Sequence, residues 1–151
     1  MAYHYTESGL DNVWLENGYT RHDTAYGVGV SIQDTEGLHR AIGQWVISLP
    51  KPLNGAELRF LRLEMDTTQK NLAGILGADE QAVRRWEKAR TKPMNGSADL
   101  LLRALYSEYT NKSSRIRRMI DRLAELDQIE APTGRFCETD HGWQPQGCAA
   151  A

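Results

Sequence analysis

Long apolar runs are missing from this sequence: nowhere do the ~18 consecutive apolar residues of a membrane helix occur. The opening residues Met1, Ala2, Tyr3, His4 and Tyr5 lack a basic patch followed by an apolar stretch. No secretory signal is expected, and the reading is a cytosolic protein without membrane contact. Cysteine is scarce, with Cys137 and Cys148 alone, so neither a disulfide framework nor a four-cysteine zinc site is available. His4, His22, His39 and His141 are scattered without ligand spacing. Cys137, His141 and Cys148 fall in an aperiodic stretch that offers no preformed geometry, so no metal is expected. A glycine-rich phosphate loop, a nucleophile elbow and a metalloprotease motif are all absent, which argues against an enzyme and against a cofactor.

A large charge of one sign is missing too, since the net charge is −2. Divided by segment, the balance changes. Residues 1–50 carry two basic and six acidic side chains, residues 51–95 nine and six, and residues 96–151 seven and eight. A near-neutral total therefore hides a basic middle suited to phosphate contact, beside an acidic first third.

What is present reads as an α+β chain. In the first fifty residues the β-formers Val13 and Trp14 lead into Asn17-Gly18, the dipeptide of a type I′ hairpin turn. That predicts a hairpin with Glu16 opposite Tyr19, Leu15 opposite Thr20 and Trp14 opposite Arg21. Alternation at Val28, Val30 and Ile32 predicts a third strand. Asp34 or Thr35 then caps a helix with Leu38, Ala41, Ile42, Trp45, Val46 and Leu49 on one stripe, stopped by Pro50 and Pro52.

From residue 51 to 110 the pattern becomes short helices with tight joints. One follows Leu53-Asn54-Gly55 and carries Leu58, Leu61 and Met65. A second runs from about Gln69 to Leu76, capped by Thr68 and ended by Gly77, and a third covers about Glu80 to Lys88, capped by Asp79. A fourth starts near Ser97 or Ala98 with Leu100, Leu101, Ala104, Leu105 and Tyr109 expected inside. Residues 111–129 hold a further amphipathic stretch, with Ile116, Met119, Ile120, Leu123 and Leu126 at helical spacing. Residues 130–151 lack periodicity and read as a flexible tail.

The run Thr68 to Lys88 carries the strongest functional signal. Leu72, Ala73 and Leu76 on one helix face Val83 and Trp86 on the next across Gly77-Ala78-Asp79, the layout of a helix-turn-helix. Thr68-Gln69, Leu72-Ala73, Leu76-Gly77, Trp86-Glu87 and Pro93 resemble the XRE/Cro-type, lambda-repressor-like family over about residues 53–110. One departure is Ala89, where that family usually has glycine, which predicts a slightly longer third helix.

The resemblance implies a dimeric regulator on double-stranded DNA, a repressor of an inverted-repeat operator. It implies base reading by Glu80, Gln81 and Arg85, and phosphate contact by Gln69, Lys70, Arg84, Lys88, Arg90 and Lys92. Glu80 would accept from cytosine or exclude other sequences. Glu87 is expected in an internal pair, with Arg62 as partner. For the stripe of Ile116, Met119, Ile120 and Leu123 two covers are open, a homodimer seam, which is favoured, and packing back on the same chain's DNA-binding domain.

The layout as a whole is similar to the MqsA-type antitoxins, whose N-terminal domain binds zinc through two Cys-x-x-Cys pairs. Tyr5, Ser8, Gln33 and Glu36 stand at the corresponding places, with Gly9 and Gly37 following, so zinc is not expected. The N-terminal unit must then be held by its hairpin, by Trp14 and by the Trp45 helix. This resemblance supplies the alternative function, an antitoxin whose acidic first fifty residues bind a toxin while the helix-turn-helix autoregulates.

Overall fold

The computed structural model describes residues 2–111 and 134–145, and its architecture is α+β. Strand β1 (Tyr3–His4) pairs antiparallel with β2 (Trp14–Leu15), and β3 (Tyr19–Thr24) with β4 (Gly27–Ile32). Among the described residues five helices follow: α1 (Thr35–Ser48), α2 (Gly55–Glu64), α3 (Gln69–Leu76), α4 (Glu80–Lys88) and α5 (Gly96–Thr110). A last hairpin joins β5 (Phe136–Thr139) to β6 (Gly142–Pro145). Among the described residues no helix is long and apolar enough to cross a membrane. Ile116, Met119, Ile120 and Leu123 lie outside the described residues.

The expected hairpin at Asn17-Gly18 does not form. A type I′ turn needs positive φ at both central residues, and only Gly18 supplies it, at 79°. Trp14 and Leu15 pair back on His4 and Tyr3 instead, and Tyr5 N–H donates to the Val13 carbonyl at 2.9 Å. The second hairpin turns on Thr24-Ala25-Tyr26-Gly27, where Thr24 Oγ1 donates to the Gly27 carbonyl and accepts from Tyr26 N–H. Thr139 repeats both bonds with Gly142 and His141 in the last hairpin. Residues 136–145, expected to lack regular structure, therefore fold through a local hydroxyl-closed turn, a signal that apolar periodicity does not register.

Helix boundaries follow from their caps. Asp34 accepts from Gly37 N–H at the start of α1, and Asn54 and Glu57 form a reciprocal capping box on α2. Thr68 caps α3, Gly77 ends it at φ 71°, Asp79 caps α4 and Asn95 caps α5. Ala89 does not lengthen α4: it is the C-cap, at φ −85° and ψ 69°, and the helix stops at Lys88.

One core joins the first fifty residues to the helices that follow, and the last hairpin contributes no residue to it. Tyr5, Leu10, Val13, Leu15, Ile42 and Val46 from the first fifty residues join Leu58, Leu61, Leu72, Val83, Leu102 and Tyr106. The two expected tryptophan anchors are not in it, since Trp14 is 58% and Trp45 40% exposed. The phase of α5 also differs from expectation. Ala98, Asp99, Leu102, Leu105 and Tyr106 are buried, whereas Leu100, Leu101 and Ala104 face outward and Tyr109 is half-buried.

Asp99 explains that shift. Its carboxylate accepts from Leu53 N–H at 2.8 Å and from Arg103 Nε at 2.6 Å, so a charged residue occupies the inward face. Arg103 in turn donates to the Ile47 and Leu49 carbonyls at 3.0 and 2.8 Å and to Lys51, tying down the end of α1. The α1–α5 crossing is close at Gly43, where a Cβ would meet the Tyr106 hydroxyl at 2.0 Å. A second close approach, Gly55 against the Trp86 carbonyl, seats α2 on the end of α4.

Candidate nucleic-acid interface

Helices α3 and α4 form the expected pair. Leu72, Ala73, Ala82 and Val83 are buried between them and the core, and Leu76 and Trp86 are partly buried against it. With those positions inward, helical geometry sends Gln81, Arg85 and Lys88 outward along one line, at i, i+4 and i+7, and all three are exposed. Lys70 and Lys92 are exposed as well. Such a surface offers an amide in the first turn of α4 and a guanidinium one turn further on, donor types able to read adenine and guanine edges, with lysines exposed beside them.

Several expected contacts have partners within the protein. Arg84 donates to Glu80 Oε1 at 2.9 Å, an i,i+4 ion pair along α4, so Glu80 and Arg84 present a neutralised couple rather than two separate readers. Glu87 is buried and bound by Arg62 through two nitrogens, at 2.6 and 2.9 Å. Arg62 also reaches the Thr67 carbonyl at 3.0 Å, fixing the entry to α3. Gln69 donates to Glu87 Oε1 at 3.2 Å, so one of its two amide hydrogens is used inside.

Arg90 differs most from expectation. Its Nη2 donates to the Gly9 carbonyl at 2.8 Å and lies 3.3 Å from Asp11 Oδ1, so the side chain expected on DNA bridges to the N-terminal unit. That bridge is invisible to sequence reasoning because its ends are some eighty positions apart. The same holds for the contacts that seat α1 on α2. The Tyr5 hydroxyl lies 2.7 Å from His39 Nε2, and His39 Nδ1 lies 2.5 Å from Glu64 Oε1. The Glu80-Arg84 and Asp99-Arg103 pairs, both at i,i+4, are the ones with a readable local signal.

The positions that match zinc thiolates in the antitoxin layout are used otherwise. Tyr5 is buried on His39, Ser8 Oγ accepts from Leu10 N–H, and Gln33 and Glu36 are exposed. Among the described residues no group of three or more His, Cys, Asp or Glu side chains is placed to hold a metal.

Comparison with protein-family models, with curated proteins and with solved structures finds no match.

Proposed function

We propose that this chain is a non-catalytic, cytoplasmic DNA-binding regulator that represses by occupying an inverted-repeat operator as a dimer. The observation that carries the reading is the paired α3 and α4 with Gln81, Arg85 and Lys88 exposed in line on the second helix. In this reading α4 enters the major groove, Gln81 and Arg85 meet base edges, and Lys70, Lys88 and Lys92 meet phosphates. The Glu80-Arg84 couple sits beside them at the groove wall. Leu100, Leu101 and Ala104 on α5 are exposed and give an apolar strip for a second copy.

The experiment is selection from a random-sequence duplex library. It is expected to enrich an inverted repeat whose half-sites lie about one helical turn, ~34 Å, or a multiple apart. Recovery of unrelated sequences would contradict the reading.

A second reading, an antitoxin whose N-terminal unit binds a toxin, is favoured by the six acidic side chains against two basic ones in residues 1–50. Tyr26 and Val28, exposed on the β3–β4 hairpin, would add apolar contact. Co-purification of the full chain with the product of an adjacent gene, lost on Tyr26→Ala with Val28→Ala, supports this reading; co-purification unchanged by those substitutions contradicts that surface.

A further inference from the structure

The N-terminal unit keeps an apolar groove of about 250 Å³ between its second strand and α1. Val13, Trp14 and Leu15 form one wall, and Ala41, Ile42 and Trp45 the other. Two tryptophans, Trp14 and Trp45, stand 58% and 40% exposed at its rim. An apolar groove flanked by two exposed tryptophans has the shape that the apolar face of an amphipathic helix fills.

Three observations point to its occupant. First, Gln44 Nε2 on α1 donates to Thr110 Oγ1 at 2.9 Å, so α5 ends alongside α1, and Gln44 stands one turn after the wall residue Ala41. The C-cap Asn111 is extended, at φ −82° and ψ 102°, so the chain leaves the α5 axis there. Second, residues 112–133 follow before the described chain resumes at Gly134. Lys112 to Ser114 span up to ~10 Å, about one helix diameter. Immediately after them the sequence places Ile116, Met119, Ile120 and Leu123 at helical spacing. Third, the charges are complementary. Residues 112–126 carry five basic and two acidic side chains, opposite to the two and six of residues 1–50. Glu16 directly follows the groove residue Leu15 and Glu36 stands two positions before the groove residue Leu38, both exposed, with Arg40 the cation on the same helix.

We propose that this groove is the docking site of residues 114–126 of the same chain, with Ile116, Met119, Ile120 and Leu123 laid against Trp14 and Trp45. The inference does not depend on DNA binding. It removes that stripe from the subunit seam and leaves the seam to the exposed face of α5.

Photo-crosslinking of the full-length chain tests it, with Trp45→p-benzoylphenylalanine as probe at an already exposed position. The expected product migrates at monomer mass on a denaturing gel, and its digest joins residue 45 to a peptide within 112–126. The same peptide in a product of dimer mass would assign the groove to a second copy and overturn the proposal. Cross-links only to other segments or to another protein, or none, would overturn it as well. Adding Ile120→Asp is expected to lower the yield about tenfold or more, as loss of one buried aliphatic side chain predicts. Glu125→Gln is expected to leave it unchanged, and an unchanged yield with Ile120→Asp would overturn the apolar docking.

Discussion

Arg85 and Lys88 are one turn apart on α4 and exposed on the same line, yet different consequences are expected on their removal. On the proposed DNA-binding reading, in which Arg85 meets a base edge, Arg85→Ala should cost roughly 1–3 kcal/mol at the cognate site and little on random DNA. Equal losses on both DNAs would remove Arg85 from base reading. Lys88→Ala should weaken all sequences alike and lower the salt slope by about one unit, as loss of one phosphate contact does. Arg62 carries a different burden. It and Glu87 are 12% and 5% exposed, so Arg62→Ala leaves a buried carboxylate without its cation. The expected loss is about 3–5 kcal/mol in urea unfolding, and a loss below about 1 kcal/mol would show that Glu87 is solvated.

Tyr106 gives a pH signature at the same scale. Burial first, then the Glu64 carboxylate, pushes its phenol up from 10.0 to about 12, with Arg40 opposing. The neutral phenol therefore stabilises the fold fully below about pH 10. That contribution is lost as the pH rises toward about 12, because the unfolded chain releases its proton first. Phenolate absorbance of the protein minus that of Tyr106→Phe should show the Tyr106 transition near 12. A transition near 10 would mean that the ring is open to solvent.

Among the elements, α1 and α5 decide whether the N-terminal unit and the helix-turn-helix move together. Gly43→Ala gains helix propensity of about 1 kcal/mol, but its methyl would sit inside the Tyr106 ring contact. Overpacking at such a site costs about 1–3 kcal/mol, so a net loss of stability is expected in thermal unfolding. A higher melting temperature would show that the crossing has room. Several helix boundaries were legible in the sequence because caps are local: Asp34, Thr68, Gly77 and Asp79 each act within four residues. The phase of α5 was not, because Asp99 is buried only by virtue of Leu53 and Arg103, one of which is forty-six residues away. The Asn17-Gly18 turn misled for a related reason. Its local preference lost to the pairing of Trp14 and Leu15 with residues already placed by Tyr5 and Val13.

At the scale of the whole molecule, the acidic first fifty residues and the basic helix-turn-helix are not separate beads. They share one core, Arg103 holds the end of α1, and Arg90 reaches Gly9 and Asp11. The motif pattern exposed Gln81, Arg85 and Lys88 to reading from sequence, since a surface helix reveals its outer face by what its inner face must bury. What it could not reveal was that Arg90 and Gln69 already have partners, because those lie 81 and 18 positions away and depend on side-chain reach in three dimensions. The most direct test of the central claim is a fluorescence-anisotropy titration of the full chain on the DNA upstream of its own gene, against a scrambled duplex, at two salt concentrations. A preference of ~10³-fold or more that persists at the higher salt is the expected result. Equal, weak binding to both duplexes that vanishes with salt would contradict it.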